Sequence, residues 1–388
     1  MSTAIISGAL ANKPFNGGNA WSRVSWVLGL RRLGFDVLFV EQISEDDCVD
    51  ATGAPAGFKN SANLAYFRLA MAQFGLAGAS ALLCDDGKQV YGLPLAELVR
   101  QAQRAGLLFN ISGHLTIGGI KDRIGCKVYY DDDPGFTQFW HLAGNSGARL
   151  KGHDFYFTIG ENIGAADSVI PTAGIGWRHT RPPVVLDDWP ARAPGAFDRF
   201  TTIASWRGAY GPVEHDGKTY GQKVHEFRKF IELPRRGGRA FEIALQIHPS
   251  DGKDLEALLA RGWKIVDPQR MAASCNDFRR YVQTSGAEFS VAQGIYVDTN
   301  SGWFSDRTVR YLASGRPALV QETGFSRHIP VGEGLLAFRT MEEAIEGAER
   351  IVRDYPRHCQ AARALAEQFF ESDKVVRRLL TEIGLDLP

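Results

Sequence analysis

The chain has 388 residues and carries 44 Lys plus Arg against 44 Asp plus Glu, a formal charge of zero. That balance argues against a protein that binds nucleic acid by neutralising phosphates. The share of hydrophobic residues, 44% against 23% charged, argues against a disordered acidic chain. At about 150 residues per domain the length predicts two domains.

The 42 glycines exceed the usual share and point to tight turns or to backbone that approaches a ligand. Cys48, Cys84, Cys126, Cys275 and Cys359 are scattered with no CxxC pair, which reads as free thiols in a reducing compartment. With no signal-peptide pattern at the start and no long apolar run, a cytoplasmic protein without a membrane span is expected.

Short apolar runs alternate with helical-period segments along the whole chain. Thr3–Gly8 predicts a strand, Asn19–Leu33 an amphipathic helix with Trp21, Val24 and Leu28 on one face, and Phe35–Val40 a second strand. Helices follow near Asn60–Phe74 and Pro94–Ala105, then strands at Leu107–Ile111, Cys126–Tyr130 and Asp154–Ile159. Pro182, Pro183, Pro190 and Pro194 interrupt this rhythm and predict an extended linker. Beyond it, strands are expected at Phe200–Ser205, Phe241–Ile247, Trp263–Val266, Glu288–Val291, Pro317–Gln321 and Leu335–Phe338, with helices such as Asp251–Arg261 and Ser305–Ala313. The chain closes with helices at His358–Phe370 and Lys374–Ile383. The alternation predicts an α/β protein with mainly parallel sheets, as two tandem Rossmann-like domains.

Candidate chemistry falls at predicted strand ends, the edge where open α/β sheets bind ligands. Asn16, Gly17 and Gly18 lie between the first strand and helix, where glycines admit a ligand and a helix end offers N–H groups. His114 follows one strand and is a candidate general base. Asp131, Asp132 and Asp133 follow another. They read as a metal-binding DxD cluster, as a base acting with His114, or, for Asp131, as a helix N-cap beside the Pro134-Gly135 turn. Glu161 and Asn162 read as edge or capping residues. Trp21, Trp26, Phe136, Phe139 and Trp140 suit an acceptor wall or, more commonly, core. In the second half, Ser305, Asp306, Arg307 and Thr308 open a helix suited to a diphosphate, and Gly324 and Phe325 form a second glycine loop.

The stretch Gly302–Phe325, with its Ala313-Ser-Gly-Arg-Pro317 turn, resembles the donor half of GT-B glycosyltransferases. Asn16–Gly18, Ile247–Pro249 and Gly332–Leu336 extend the resemblance. It implies an N-terminal acceptor-side domain over 1–182, a linker over 183–198, a nucleotide-sugar domain over 199–356, and C-terminal helices over 357–388 crossing back. It implies transfer from a nucleotide-diphosphate sugar, UDP-linked, to an acceptor hydroxyl without a metal. Trp206, Arg207, His248, Ser305, Asp306, Arg307, Thr308, Gly324 and Phe325 would bind the donor, Asn16–Gly18 the acceptor or phosphates, and His114 or Asp133 would act as base. Where many retaining members carry two glutamates, this chain has Gly302 and Arg310, with Asp306 as substitute partner for the ribose. A nucleotide-sugar epimerase and a non-catalytic sugar-binding protein are the alternative readings.

Overall fold

A computed structural model describes residues 2–208 and 210–388. The first half forms an eight-stranded sheet from β1 (Thr3–Ser7), β2 (Asp36–Ile43), β3 (Ser80–Cys84), β4 (Gln89–Gly92), β5 (Ala105–Ile111), β6 (Cys126–Asp131), β7 (Phe155–Thr158) and β8 (Trp177–His179). Its order is β4-β3-β2-β1-β5-β6-β7-β8, parallel except for β3 against β4. The second half opens with β9 (Phe200–Ser205) and a hairpin of β10 (Val213–His215) and β11 (Lys218–Tyr220). Then follow β12 (Phe241–Gln246), β13 (Trp263–Val266), β14 (Ala287–Ser290), β15 (Ala318–Gln321) and β16 (Leu335–Phe338). These six sheet strands run parallel in the order β13-β12-β9-β14-β15-β16. Strands buried on both faces, such as Thr3–Ser7, explain the mostly apolar runs.

Three strands and the hairpin lie beyond the sequence expectations. β3 is a short apolar run that periodicity cannot assign, and β8 is a three-residue edge strand. The hairpin had a readable signal: Asp216 and Gly217 both take positive φ (49° and 74°), the requirement of a two-residue primed turn.

The proline-rich connection is packed against the body of the protein. Val184 donates its N–H to Phe370 O (2.8 Å) and accepts from Ser372 N–H (2.9 Å), where the last two helices meet. Trp189 is fully buried, edge-on to Trp21 (5.0 Å) and to Phe278 (6.1 Å) from the other half. The helix Ser372–Glu382 crosses back onto Gly17–Arg32, where Arg32 pairs with Asp187 (2.6 Å) and Asp373 (3.0 Å). One hydrophobic cluster therefore runs through both halves, joining Trp21 and Trp189 to Phe278, Phe304 and Phe370.

The halves meet backbone to backbone. Gly17 donates its N–H to Ala272 O (2.8 Å), and a Cβ at Gly17 would sit 2.2 Å from Ser274 O. Gly17→Ala must therefore push the halves apart, at about 1–3 kcal/mol by analogy with overpacked cores. Gly78→Ala, with nothing within 4 Å of its Cβ, is the control and should stay within about 0.5 kcal/mol. Thermal and denaturant unfolding of the two variants checks this.

Candidate functional site

The two halves meet near the carboxyl ends of both sheets, where Tyr296 reaches Asp133 and Asn162 reaches Asn300 and Gly324. On the N-terminal side, three consecutive aspartates at the end of β6 meet three different environments. Asp131 is fully buried and accepts from Thr137 Oγ1 (2.7 Å), Gln138 Nε2 (2.8 Å), Thr158 Oγ1 (2.8 Å) and Asp133 N–H (3.2 Å). It ties the helix Phe136–Leu142 to the sheet and has no oxygen left for substrate. Asp132 pairs with Arg23 (3.0 Å) and accepts from Ser112 Oγ (2.5 Å). Burial opposes its ionisation, but Arg23 and Ser112 outweigh that and hold it below the usual carboxylate range.

Asp133 differs from both. Its Oδ1 accepts from the Tyr296 hydroxyl of the opposite half (2.9 Å), and its Oδ2 has no partner among the described residues. Burial and the neighbouring Asp132 charge push Asp133 up to about 6. The DxD reading does not fit these roles, and no group of three or more His, Cys, Asp or Glu is placed to hold a metal among the described residues.

His114 sits beside this pair with its Nδ1 3.3 Å from Arg149 Nη1. Because guanidinium only donates, Nδ1 is the acceptor and the proton of the neutral ring lies on Nε2. Burial and the Arg149 charge bring the imidazole down to about 3, so it stays neutral near pH 7. Phe15, Ser112 and Arg149, all around this edge, take positive φ (61°, 51° and 50°), a conformation that non-glycine residues hold only when surroundings impose it.

The expectation for Asn16, Gly17 and Gly18 is corrected. Asn16 caps the helix by accepting from Asn19 N–H (3.0 Å). The space beside Gly17 is taken by the Ser274 carbonyl and that beside Gly18 by the Phe278 ring, so these glycines admit protein rather than ligand. The loop is held by Glu41, fully buried, which accepts N–H bonds from Leu10 (2.9 Å), Ala11 (2.7 Å) and Asn12 (2.8 Å). Sequence reasoning missed Glu41; a lone acid inside an apolar strand was its signal.

On the C-terminal side, the helix Asp306–Ala313 begins at Ser305 with no side-chain cap. The Thr308 hydroxyl is buried without a partner, and the Ser305 hydroxyl makes no hydrogen bond among the described residues. Both border a small cavity of about 10 Å³ lined also by Ser290, Trp303, Gln321 and Phe325. Arg307 is corrected: its Nε, Nη1 and Nη2 donate to Glu288 Oε1, Ile203 O and Ser290 Oγ, each at 2.7 Å. It braces the strand ends. An uncommitted cation on this side is Lys223, whose ammonium has no hydrogen-bond or ion-pair partner among the described residues. Burial and the Arg307 charge bring it down to about 7. A single lysine at a helix start carries no pattern that a sequence reading could weigh.

The other expected donor residues have protein partners of their own, Phe325 while also bordering the cavity beside Ser305 and Thr308. Trp206 is buried against Phe227 (5.3 Å) and donates Nε1 to Asp254 (2.8 Å). Arg207 is paired with Asp251 (2.6 Å), and His248 caps its own turn by accepting from Ser250 N–H (3.1 Å). Phe325 is buried on Phe304 (5.1 Å). Gly324, at φ 92°, lets Asn162 of the other half reach its carbonyl (3.2 Å) and that of Asn300 (2.7 Å). Trp21 and Trp26 are core, as are Phe136 and Phe139, while Trp140 and Tyr210 stay partly exposed and pack edge-on at 4.7 Å.

No family model and no curated protein sequence matches the chain. Its structure resembles solved glycosyltransferases of the GT-B fold over nearly the full length. An alpha-glucosyltransferase in complex with UDP shares 11% identity, with 99% of this chain and 100% of that chain covered and a TM-score of 0.62. HepE from Anabaena, in complex with UDP-glucose, shares 12% identity, with coverage of 99% and 100% and a TM-score of 0.61. Sucrose-phosphate synthase from Thermosynechococcus elongatus shares 11% identity, with coverage of 99% and 98% and a TM-score of 0.56. No helix of this chain is long and apolar enough to cross a membrane among the described residues.

The bracing role of Arg307 has a direct consequence. Arg307→Ala leaves the fully buried Glu288 without its counter-charge, which typically costs about 3–5 kcal/mol. Denaturant unfolding should show a loss of that size, and an unchanged midpoint would contradict the role.

Proposed function

We propose that the chain is a glycosyltransferase that moves a sugar from a UDP-linked donor to an acceptor hydroxyl in the cleft between its two sheets. One observation carries the reading. An uncapped helix end with two unpartnered hydroxyls and an unpaired lysine lies across the seam from a carboxylate whose second oxygen is free, with Asp306 at that helix end and Asp133 both in range of the Arg23 charge. The fold shared with UDP-bound glycosyltransferases supports it.

The donor diphosphate lies against the N-terminus of Asp306–Ala313. Free N–H groups and the helix dipole receive it there, with the Ser305 and Thr308 hydroxyls. Lys223 adds the positive charge that offsets the leaving group as the bond to the anomeric carbon breaks. Asp306, one third exposed, receives the ribose hydroxyls. Arg310 is unavailable for that task, because it is fully buried and donates to Trp21 O (3.2 Å) and Ser25 Oγ (3.0 Å) across the seam.

Asp133 takes the acceptor proton through Oδ2 while Tyr296 fixes Oδ1. His114 is the weaker base, since its unprotonated nitrogen faces Arg149. The assignment serves proton abstraction: a carboxylate near 6 is ionised at pH 7 yet more basic than an ordinary aspartate. The UDP-bound solved structures that share this fold are glycosyltransferases, which favours transfer over epimerisation. Leaving-group charge is met here by the chain's own groups, so the transfer is proposed to need no metal.

Asp133→Asn should lower kcat about 10²–10⁴-fold with UDP affinity retained. A larger loss in His114→Ala than in Asp133→Asn would move the base to the imidazole. Asp133 must be ionised to act, so kcat/KM should fall as the pH drops through about 6 and level off above it. Lys223→Ala should weaken UDP binding about tenfold or more in calorimetry, corresponding to about 1.4 kcal/mol. Transfer, or slow donor hydrolysis, should persist in EDTA; abolition by EDTA and rescue by Mg²⁺ would refute the metal-free reading.

A further inference from the structure

Charge at the acceptor side of the cleft is unevenly paired. Three cations stand around His114 and Asp133: Arg23, Lys13 and Arg149. Arg23 is matched by Asp132. Lys13 and Arg149 have no carboxylate within ion-pair distance among the described residues, although Lys13 is close enough for its charge to act on His114, Asp132 and Asp133. The Arg149 guanidinium makes one contact, with His114 Nδ1, leaving most of its donor fork open.

Arg149 is also held in place. Its neighbours Ala148 and Leu150 are buried in a small cluster with Tyr129, whose hydroxyl donates to Ala148 O (2.8 Å). Its own backbone is kept at φ 50° between them. That φ is the left-handed cap ending the 3₁₀ turn Ser146–Ala148, and it leaves the Arg149 side chain exposed. An open guanidinium fork beside His114 suits a planar or tetrahedral anion. Beside it, the partly exposed rings of Trp140 and Tyr210 offer an apolar wall for a sugar ring. The charge of Arg149 also acts on Tyr210, which places this wall and the cation together.

Resting on the proposed transferase activity, we infer that the acceptor is an anionic sugar, carrying a phosphate or carboxylate that Arg149 and Lys13 bind while its hydroxyl meets Asp133. The two cations then serve acceptor selection, separately from Lys223, which serves the donor.

The test uses the full chain saturated with UDP, so that the donor phosphate site is filled. Calorimetry or saturation-transfer NMR compares glucose 6-phosphate and glucuronate with glucose. The phosphate and carboxylate arms identify which anion is preferred. At least one anionic sugar should bind about tenfold or more tightly than glucose, and the preference should drop several-fold in Arg149→Ala and in Lys13→Ala while Arg149→Lys keeps part of it. Unfolding midpoints of the variants check that they fold. Equal or tighter binding of glucose, or a preference that both alanine variants retain, overturns the inference. Failure to bind UDP at all would instead overturn the donor assignment, which the first titration reads on its own.

Discussion

The contact on which this structure depends is the approach of two parallel sheets until backbone touches backbone. Gly17 at the Ser274 carbonyl and Gly324 at Asn162 allow a separation that any side chain would prevent. From that approach follows the burial of Trp189 between the halves and the crossing of Arg310 to Trp21 and Ser25. So does the Tyr296–Asp133 bond that joins the sheet edges. A looser seam would leave the same residues hydrated and chemically ordinary.

Exclusion of water at the edges is what differentiates groups of the same type. Asp131, Asp132 and Asp133 share a backbone and a sequence run, yet one is a fully bonded anchor, one an ion-pair partner and one a carboxylate with a free oxygen and raised affinity for protons. The arginines divide in the same way. Arg23 and Arg307 neutralise buried acids, Arg310 bridges the halves, and Arg149 remains open. In each case the pairing available nearby decides, because a buried charge without a partner is costly and one with a partner is chemically silent.

The neutral overall charge is consistent with this local arrangement. An anion site made from a helix end, two hydroxyls and one lysine requires no basic surface.

Local sequence determined much of the architecture. Apolar-rich runs bounded by turns marked eleven of the sixteen strands, as at Thr3–Ser7 and Ala318–Gln321, because central parallel strands buried on both faces favour apolar residues. The strand ends that carry His114 and Asp133, and the helix start at Ser305, were legible from the same alternation. Their partners were not. Whether Arg307 reaches phosphate or Glu288, whether Gly17 faces a ligand or a carbonyl, and whether Lys223 is paired are matters of distance between segments far apart in the chain. Periodicity reports which face of an element is buried, whereas pairing and hydration depend on what the opposite half brings to that face, and only the closed tertiary structure decides it.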